Sequence, residues 1–226
     1  MRHSAALIVF AKYPVPGKVK TRLIPALGAE GAAQLYTAFL HDAIQQYRTL
    51  DVDIRLYLDP PARSLHQAID LDGITVHHQQ GAGLGARMLH AFLESFAVGY
   101  ESLVIIGTDH PTLPSAFVEQ AFVLLRERRQ ISIGPSEDGG YYLLGMNDFY
   151  PLLFEDMTYS HADVFMDTLE RAAECQAQVN ILPTWYDVDT PAELARLRTD
   201  LGANPDQAPT TVTTLASLGH SVASNA

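Results

Sequence analysis

The sequence predicts an α/β fold in which a mostly parallel, mixed sheet carries helices on both faces. Strand-like apolar runs alternate with longer segments whose apolar residues have helical spacing, the pattern of a sheet covered on both sides. The runs at 5–11 and 102–106 are continuously apolar, as expected for central parallel strands. The stretch 138–145 joins an acidic turn to an aromatic strand, which indicates a hairpin and therefore a mixed sheet.

The first part of the chain alternates strands with loops and covering helices. After the strand at 5–11, two prolines and a glycine in the loop 12–22 prevent a helix. Apolar residues at helical spacing then predict a helix over 28–48. Alternating apolar residues predict a second strand over 52–58 with one apolar face, and a short β-branched run predicts a third strand over 74–78.

The second part continues the alternation. A glycine-rich turn at 79–88 opens a helix that is predicted to run to about residue 99. The strand at 102–106 precedes Asp109, and apolar spacing predicts a helix over 114–128. The remaining elements are predicted as strands over 130–135, 138–145 and 179–182, a helix over 161–176, and a helix that starts at Pro191 with Thr190 or Asp189 as its N-cap.

One domain with a tail is predicted. The chain has 226 residues, 47% hydrophobic and 18% charged, which is enough for one good core and ordinary for a globular protein. No apolar run approaches the ~20 residues of a membrane span, and the amino terminus lacks the cleavage site of a signal peptide, so a cytoplasmic location is expected. We assign residues 1–202 to a single domain. Residues 203–226 lack hydrophobic periodicity and are predicted to be a low-complexity tail, disordered or loosely attached.

The charge distribution argues against nucleic acid as a binding partner and favours a compact anionic ligand. The formal net charge of −11 is unsuited to a phosphate backbone. No acidic residue occurs between His3 and Ala29, yet four cations crowd into one loop of this region. They are Lys12, Lys18, Lys20 and Arg22. A small basic pocket on an acidic molecule suits a nucleoside diphosphate, although a solvated basic loop is the alternative, and the loop lacks the glycine and Ser/Thr pattern of a P-loop.

The glycine-rich turn is a second candidate for nucleotide contact. Its backbone can approach a base, a ribose or a phosphate closely, and its basic residue, Arg87, lies in the first turn of the helix that follows. The candidates are Gly81, Gly83, Gly85 and Arg87. The turn also fits a dinucleotide-binding fingerprint, but the acidic residue required at the end of the next strand is missing, because Glu101 comes too early and Asp109 too late.

Three carboxylates, Asp109, Asp187 and Asp189, each lie at or just past the carboxyl end of a predicted strand. If they converge, they form an all-oxygen site for Mg²⁺ or Mn²⁺ that would bridge a diphosphate. Asp109 as a simple helix cap is the alternative. The stretch 187–190 also resembles the motif of aspartate-nucleophile phosphatases, but that motif follows an early apolar strand, whereas here it is late.

The acidic turn is the last candidate. The Asp138 carboxylate can accept hydrogen bonds from sugar hydroxyls, and Gly139 and Gly140 permit a tight turn before Tyr141. An ordinary hairpin turn is the alternative. No Ser/His/Asp constellation or nucleophile elbow is present in the sequence, so the chemistry that fits is transfer at an activated phosphate or an anomeric carbon.

Five motifs together resemble a known family. They are FAKYPVPGKVKTRL at 10–23, QGAGLGARM at 80–88, GTDHP at 107–111, the segment 134–143 with GP and DGGYYL, and DVDTP at 187–191. In this order they resemble the bacterial glycosyltransferase-like family associated with arsenosugar biosynthesis. That family is similar to 2-phospholactate guanylyltransferase and to the molybdenum-cofactor nucleotidyltransferases. The chain departs from many relatives at His110, where they have Cys, and at 159–161, where they have Trp-Ser-Thr.

The resemblance implies a nucleotide-diphospho-sugar transferase fold of the GT-A type. It implies that the four cations of the first loop hold phosphates, that residues 81–87 face the nucleoside, and that Asp109 and Asp189 hold Mg²⁺ or Mn²⁺. Asp109 and Asp138 would be the catalytic residues, and 138–141 would face the sugar or the acceptor.

Three functions remain open. A glycosyltransferase would move the sugar of a nucleotide sugar to a small-molecule acceptor, a nucleotidyltransferase would release pyrophosphate, and a catalytically silent protein would only bind a nucleotide sugar.

Overall fold

A mixed sheet of seven strands forms the centre of the computed structural model, which describes residues 4–60 and 69–223. The strands are β1 (Ala5–Lys12), β2 (Asp53–Asp59), β3 (Thr75–His78), β4 (Ser102–Ile106), β5 (Gln130–Pro135), β6 (Tyr141–Met146) and β7 (Gln178–Ile181). Their order across the sheet is β3-β2-β1-β4-β6-β5-β7.

The helices lie between these strands and after them. They are α1 (Ile24–Tyr47), α2 (Leu84–Ala97), α3 (Ser115–Val123), α4 (Val164–Glu174), α5 (Pro191–Ala203) and α6 (Pro209–Ala223). Short 3₁₀ turns occur at Thr21–Leu23, Pro151–Leu153 and Pro205–Gln207. No helix of the described ranges is long and apolar enough to cross a membrane.

One strand runs against the others. β6 pairs antiparallel with both β4 and β5, whereas the pairs β1–β2, β1–β4, β2–β3 and β5–β7 are parallel. Six strands therefore end at the same edge of the sheet, and β5 and β6 form the predicted hairpin. The predicted α/β fold with a mostly parallel, mixed sheet is confirmed.

Helices cover both faces of the sheet. On one face, Leu7 and Val9 of β1 pack with α1 and α3, and on the other Ala6 and Ile8 pack with α2. All four side chains are fully buried, as the continuous apolar run predicts. The sequence predicts one apolar, buried face for β2, but in the structure its second face is buried as well.

That second face of β2 is polar and takes part in an internal network of hydrogen bonds and ion pairs. Arg55 and Tyr57 are buried there, and the Tyr57 hydroxyl donates a hydrogen bond to Glu94 of α2 at 2.9 Å. The guanidinium of Arg55 lies 3.6 Å from the same carboxylate. A sequence pattern that counts only apolar residues finds this strand but not the burial of its polar face.

Three predicted helices have different bounds. The helix predicted over 28–48 begins at Ile24 and is interrupted at Gly28, whose φ of 72° is left-handed. The helix predicted over 114–128 ends at Val123, and that predicted over 161–176 spans Val164–Glu174. Thr190, and not Asp189, is the N-cap of α5, in a capping box with Glu193.

The prediction of a disordered or loosely attached tail is wrong for α6. Leu215 and Leu218 are buried in a cluster with residues of α1 and α5, and Asp42 of α1 caps the helix by accepting the backbone N–H groups of Thr210 and Thr211 at 3.1 and 2.7 Å. The composition of this segment, rich in Ala, Thr and Ser, predicts disorder, but its few leucines form a narrow apolar stripe that packs against the domain.

Candidate functional site

A cleft of ≈ 620 Å³ opens at the edge of the sheet where the parallel strands end, and we call it the carboxyl-edge cleft. Polar residues line it at the ends of four neighbouring strands: Lys12 and Asp59 end β1 and β2, and Gln79 and Asp109 follow β3 and β4. In open α/β sheets, ligands bind outside this edge. The sheet therefore places these side chains where a ligand would bind.

Lys20 joins two carboxylates inside the cleft. Its Nζ lies 2.5 Å from Oδ1 of Asp109 and donates a hydrogen bond to Oδ1 of Asp189 at 2.9 Å. The Lys20 side chain is 2% exposed, whereas those of Asp109 and Asp189 are 45% and 47% exposed. A buried ammonium group thus lies under two carboxylates that remain accessible.

Local structure turns Lys20 inward. The residue has a left-handed φ of 46° just before the turn Thr21–Leu23, and its carbonyl accepts the N–H of Leu23 at 2.9 Å. Leu23 is fully buried, so the loop enters the molecule at this point. The rings of Tyr36 and Phe39 on α1 lie 5.9 and 5.6 Å from Nζ, close enough for a favourable interaction between the cation and their faces.

Main-chain hydrogen bonds bring the two carboxylate segments together. The N–H of Val188 donates to the carbonyl oxygen of Asp109 at 2.8 Å. On the other side of the segment, the Ser136 hydroxyl donates to Oδ2 of Asp187 at 2.9 Å. Because the Val188 backbone is hydrogen-bonded to Asp109, its neighbours Asp187 and Asp189 are both held close to Asp109, although they lie far from it in the sequence.

The electrostatics of these groups follow from burial and pairing. Burial disfavours the charged forms of Lys20 and Asp109, but their ion pair outweighs it: the pKa of Lys20 lies above its usual range and that of Asp109 below. For Asp187, burial and then the charge of Asp109 raise the pKa to about 7, and the hydrogen bond from Ser136 offsets only part of this. Two carboxylates thus contact the buried ammonium, and Asp187 interacts with it through charge.

The residues next to Asp109 are polar and buried. The Tyr36 hydroxyl lies 2.9 Å from both the backbone N of Lys12 and Oγ1 of Thr108, and so links α1 to β1 and to the end of β4. His110 is 4% exposed, and burial lowers its pKa to about 4. Its ring lines the cleft, and among the described residues its Nε2 has no hydrogen bond partner.

The glycine-rich turn forms the opposite wall. The guanidinium of Arg87 forms an ion pair with Asp59, and its Nε donates to the carbonyl of Gly81 at 3.3 Å. Gln79 donates through Nε2 to the carbonyls of Ala11 and Tyr57, both at 3.1 Å. These contacts hold the turn against the ends of β1 and β2.

The structure brings together some of the predicted site residues and leaves others outside. Those that line the cleft are Lys12, Lys20, Gly83, Arg87, Asp109, Tyr141 and Asp189. Those outside its lining are Lys18, Arg22, Gly81, Gly85, Asp138, Gly139 and Gly140. Lys18 and Arg22 are exposed to solvent, so the basic loop directs only part of its charge into the cleft.

Packing accounts for two of the glycines outside the lining. A Cβ on Gly85 would lie 2.7 Å from Cε2 of Tyr159, and a Cβ on Gly139 would overlap the carbonyl oxygen of Ala162. Asp138 accepts the N–H of Gly140 at 3.0 Å within the β5–β6 hairpin. The turn thus has the geometry of a hairpin, with Asp138 outside the lining of the cleft.

Asp59, Gln79 and Tyr36 were missed by sequence reasoning although they line the cleft. A signal for the first two was present, because each stands at the carboxyl end of a predicted parallel strand, as Asp109 does. Tyr36 gave no signal, since an aromatic residue on the inner face of a helix is typical of a core.

Comparison with known proteins places the fold in a superfamily. A crystal structure from Desulfovibrio desulfuricans G20, described as a proposed nucleotide-diphospho-sugar transferase, is 34% identical over 96% of this chain and 97% of its own, with a TM-score of 0.88. The likeness shows a nucleotide-diphospho-sugar transferase-like fold.

More distant structures have the same fold. An Rv0371c homologue from Mycobacterium sp. strain JC1 is 20% identical over 90% of this chain and 99% of its own, with a TM-score of 0.54. A CMP:2-keto-3-deoxy-manno-octonic acid synthetase complexed with CTP is 12% identical over 88% and 99%, with a TM-score of 0.52. These identities show the fold alone. Among curated proteins there is no significant match.

A family model covers more than half of the chain. It matches residues 41–161, which include β2 to β6 and the Asp109 segment. The chain therefore belongs to the bacterial family described as "Uncharacterized protein conserved in bacteria (DUF2064)".

Proposed function

We propose that the protein is a metal-dependent glycosyltransferase that binds a nucleotide diphosphate sugar in the carboxyl-edge cleft and transfers the sugar to a small-molecule acceptor. The observation that carries the proposal is the convergence of Asp109 and Asp189 on one cation, at the edge of the sheet where ligands bind. The 34% identity with the proposed nucleotide-diphospho-sugar transferase supports it, as does the resemblance of the motifs to the arsenosugar-associated glycosyltransferases.

The carboxylates fit a divalent cation. They already share one positive charge, and both are accessible from the cleft. Within the described ranges no three His, Cys, Asp or Glu side chains are arranged to hold a metal ion, so Asp109 and Asp189 would supply two ligands and the nucleotide phosphates the others. Mg²⁺ is commonly held by one or two carboxylates together with substrate phosphates. Bound there, the metal would neutralise charge on the leaving diphosphate.

The other residues of the cleft divide the remaining tasks. Lys12 and Lys20 would bind the phosphates, because both are close to Asp109 and carry the charge of the pocket. Arg87 and Gly83 on the opposite wall would contact the nucleoside. Tyr141 and His110 would face the sugar or the acceptor. In the reaction the bond from the anomeric carbon to the diphosphate breaks, the acceptor oxygen forms the new bond, and its hydroxyl proton is released.

Nucleotidyl transfer is the second candidate. It is favoured by the presence of two lysines beside Asp109, since a nucleoside triphosphate carries more negative charge than the diphosphate of a nucleotide sugar. In that reaction an acceptor phosphate would attack the nucleoside monophosphate group and pyrophosphate would leave.

Product analysis separates these functions. The protein is incubated with Mn²⁺ and a panel of UDP, GDP, CDP and dTDP sugars, or with nucleoside triphosphates and sugar phosphates. Release of nucleoside diphosphate from one sugar nucleotide, lost in Asp109→Asn, is the expected result. Pyrophosphate release would favour the second candidate, binding without turnover would indicate a silent binding protein, and absence of binding would refute the proposal.

A further inference from the structure

We infer that Lys20 and a divalent cation compete for the same pair of carboxylates, so that Lys20 must leave Asp109 and Asp189 when the metal binds and transfers to the phosphates of the nucleotide. The inference deepens the proposed function, and it rests on that function only for the nucleotide step.

The contacts define the competition. Lys20 uses Oδ1 of both Asp109 and Asp189, the two atoms through which these carboxylates face one another across a single cation. A divalent cation chelated by the same pair would lie beside the ammonium group, which is itself buried although the carboxylates are accessible. Two like charges at such a distance repel strongly where water is scarce. The pair can therefore hold either cation well, but not both together.

Lys20 is built to stay in this position while no metal is bound. Its side chain is 2% exposed and lies against Tyr36 and Phe39, and its left-handed backbone is followed by a buried turn. An ammonium group that leaves the carboxylates requires another anion, because an unpaired buried charge is costly. The diphosphate of a nucleotide in the same cleft would provide it.

This arrangement makes metal binding depend on the nucleotide. Without nucleotide, the metal must displace Lys20 from both of its partners, and its affinity is low. With nucleotide, the phosphates accept Lys20 and also ligate the metal, so each ligand strengthens the binding of the other. Free metal would then not occupy the cleft ahead of the substrate.

The first test measures Mn²⁺ affinity without nucleotide, by the electron paramagnetic resonance signal of free Mn²⁺. In Lys20→Met the aliphatic stem is retained and the competing charge is removed, so Mn²⁺ should bind about ten- to a hundredfold more tightly than to the unchanged protein, the size of a typical coupling between two ligands. Lys20→Arg, which keeps the charge, should show no such gain. Equal or weaker binding of Mn²⁺ by folded Lys20→Met would overturn the inference.

The second test needs no substitution. The chain has three lysines, Lys12, Lys18 and Lys20, and the first two are exposed. Brief acetylation with acetic anhydride, read by mass spectrometry, measures the labelling of Lys20 relative to Lys18, which lies outside the lining of the cleft. Saturating Mg²⁺ alone should raise the relative labelling of Lys20 severalfold, because the ammonium is displaced. Unchanged labelling at a metal concentration that saturates binding would contradict the competition.

Nucleotide is added last, so that the two proposals fail separately. Addition of GDP, UDP, CDP or dTDP to the Mg²⁺-loaded protein should lower the labelling of Lys20 again. If Mg²⁺ exposes Lys20 and none of the diphosphates protects it, the competition stands and the proposed nucleotide site is wrong. If a diphosphate binds and protects Lys20 while metal alone never exposes it, the nucleotide site stands and the competition is wrong.

Discussion

The backbone N–H of Val188 donates a hydrogen bond to the carbonyl oxygen of Asp109 at 2.8 Å. This one bond joins two segments that lie far apart in the sequence, and it places Asp189 so that its carboxylate shares Lys20 with that of Asp109. The separation of the two carboxylates is thus constrained by a main-chain hydrogen bond, an arrangement that suits the proposed metal site.

The β5–β6 turn should be intolerant of a side chain at Gly139. Its φ of 90° is left-handed, and a Cβ would overlap the carbonyl of Ala162. We expect Gly139→Ala to lower the free energy of unfolding by about 3 kcal/mol or more, from backbone strain and overpacking together. Gly99→Ala is the matched control, because φ is 97° and nothing lies within 4 Å, so only strain of about 1 kcal/mol is expected. Urea denaturation measures both, and equal losses would contradict the packing argument.

The attachment of α6 should depend on Asp42. Its carboxylate accepts the backbone N–H groups of Thr210 and Thr211, so Asp42→Ala leaves both without their acceptor. We expect the free energy of unfolding to fall by about 1–2 kcal/mol, and amide hydrogen exchange of α6 to rise. Glu30→Ala, at an exposed position of the same helix, should change stability by less than about 0.5 kcal/mol. Unchanged exchange of α6 in Asp42→Ala would show that Asp42 does not hold the helix.

Buried His110 should contribute a loss of stability in mild acid, opposed by Asp187, whose raised pKa favours proton uptake by the folded state. Burial lowers its pKa in the folded state to about 4, whereas the unfolded state has the usual 6.5. Above pH 6.5 neither state binds the proton, but between pH 6.5 and 4 only the unfolded state does, so stability is lost as the pH falls through this window. The loss amounts to at most about 3 kcal/mol. In urea denaturation, His110→Asn should gain stability relative to the unchanged protein as the pH falls through this window, and His78→Asn, at an exposed position, should show no such gain. An unchanged slope in His110→Asn would contradict this assignment.

The sheet could be predicted because its strands are strong local signals. The bounds of β5 agree with the apolar run, and Asp109 was placed at the carboxyl edge of β4 from sequence alone. The sequence could not show which of the candidate glycines line the cleft and which are required for packing. Gly85 lies under Tyr159, a residue distant in sequence, and only tertiary structure reveals that neighbour.

The inward orientation of Lys20 could not be predicted from the sequence either. Four cations in one loop predicted a phosphate pocket, and the same residues turned out to include one buried lysine that pairs with both carboxylates assigned to the metal. Its inward turn depends on a left-handed backbone and on the rings of α1, neither of which has a sequence signature. The sequence therefore indicates a metal site and a phosphate site separately, whereas in the structure Lys20 contacts both of the carboxylates assigned to the metal.

We propose that the carboxyl-edge cleft binds a nucleotide together with a divalent metal through Asp109. The most direct measurement is a thermal-shift panel of nucleoside diphosphates, triphosphates and nucleotide sugars, each with and without Mn²⁺ or Mg²⁺, on the unchanged protein and on Asp109→Asn. A ligand at ~100 times its dissociation constant should stabilise the fold by ~2.7 kcal/mol, or roughly 5–10 °C. Asp167→Asn, at a half-buried position of α4 outside the lining of the cleft, should respond as the unchanged protein does. We expect a metal-dependent shift with one nucleotide class that disappears in Asp109→Asn, and a flat panel, or a shift that survives in Asp109→Asn, would contradict the claim.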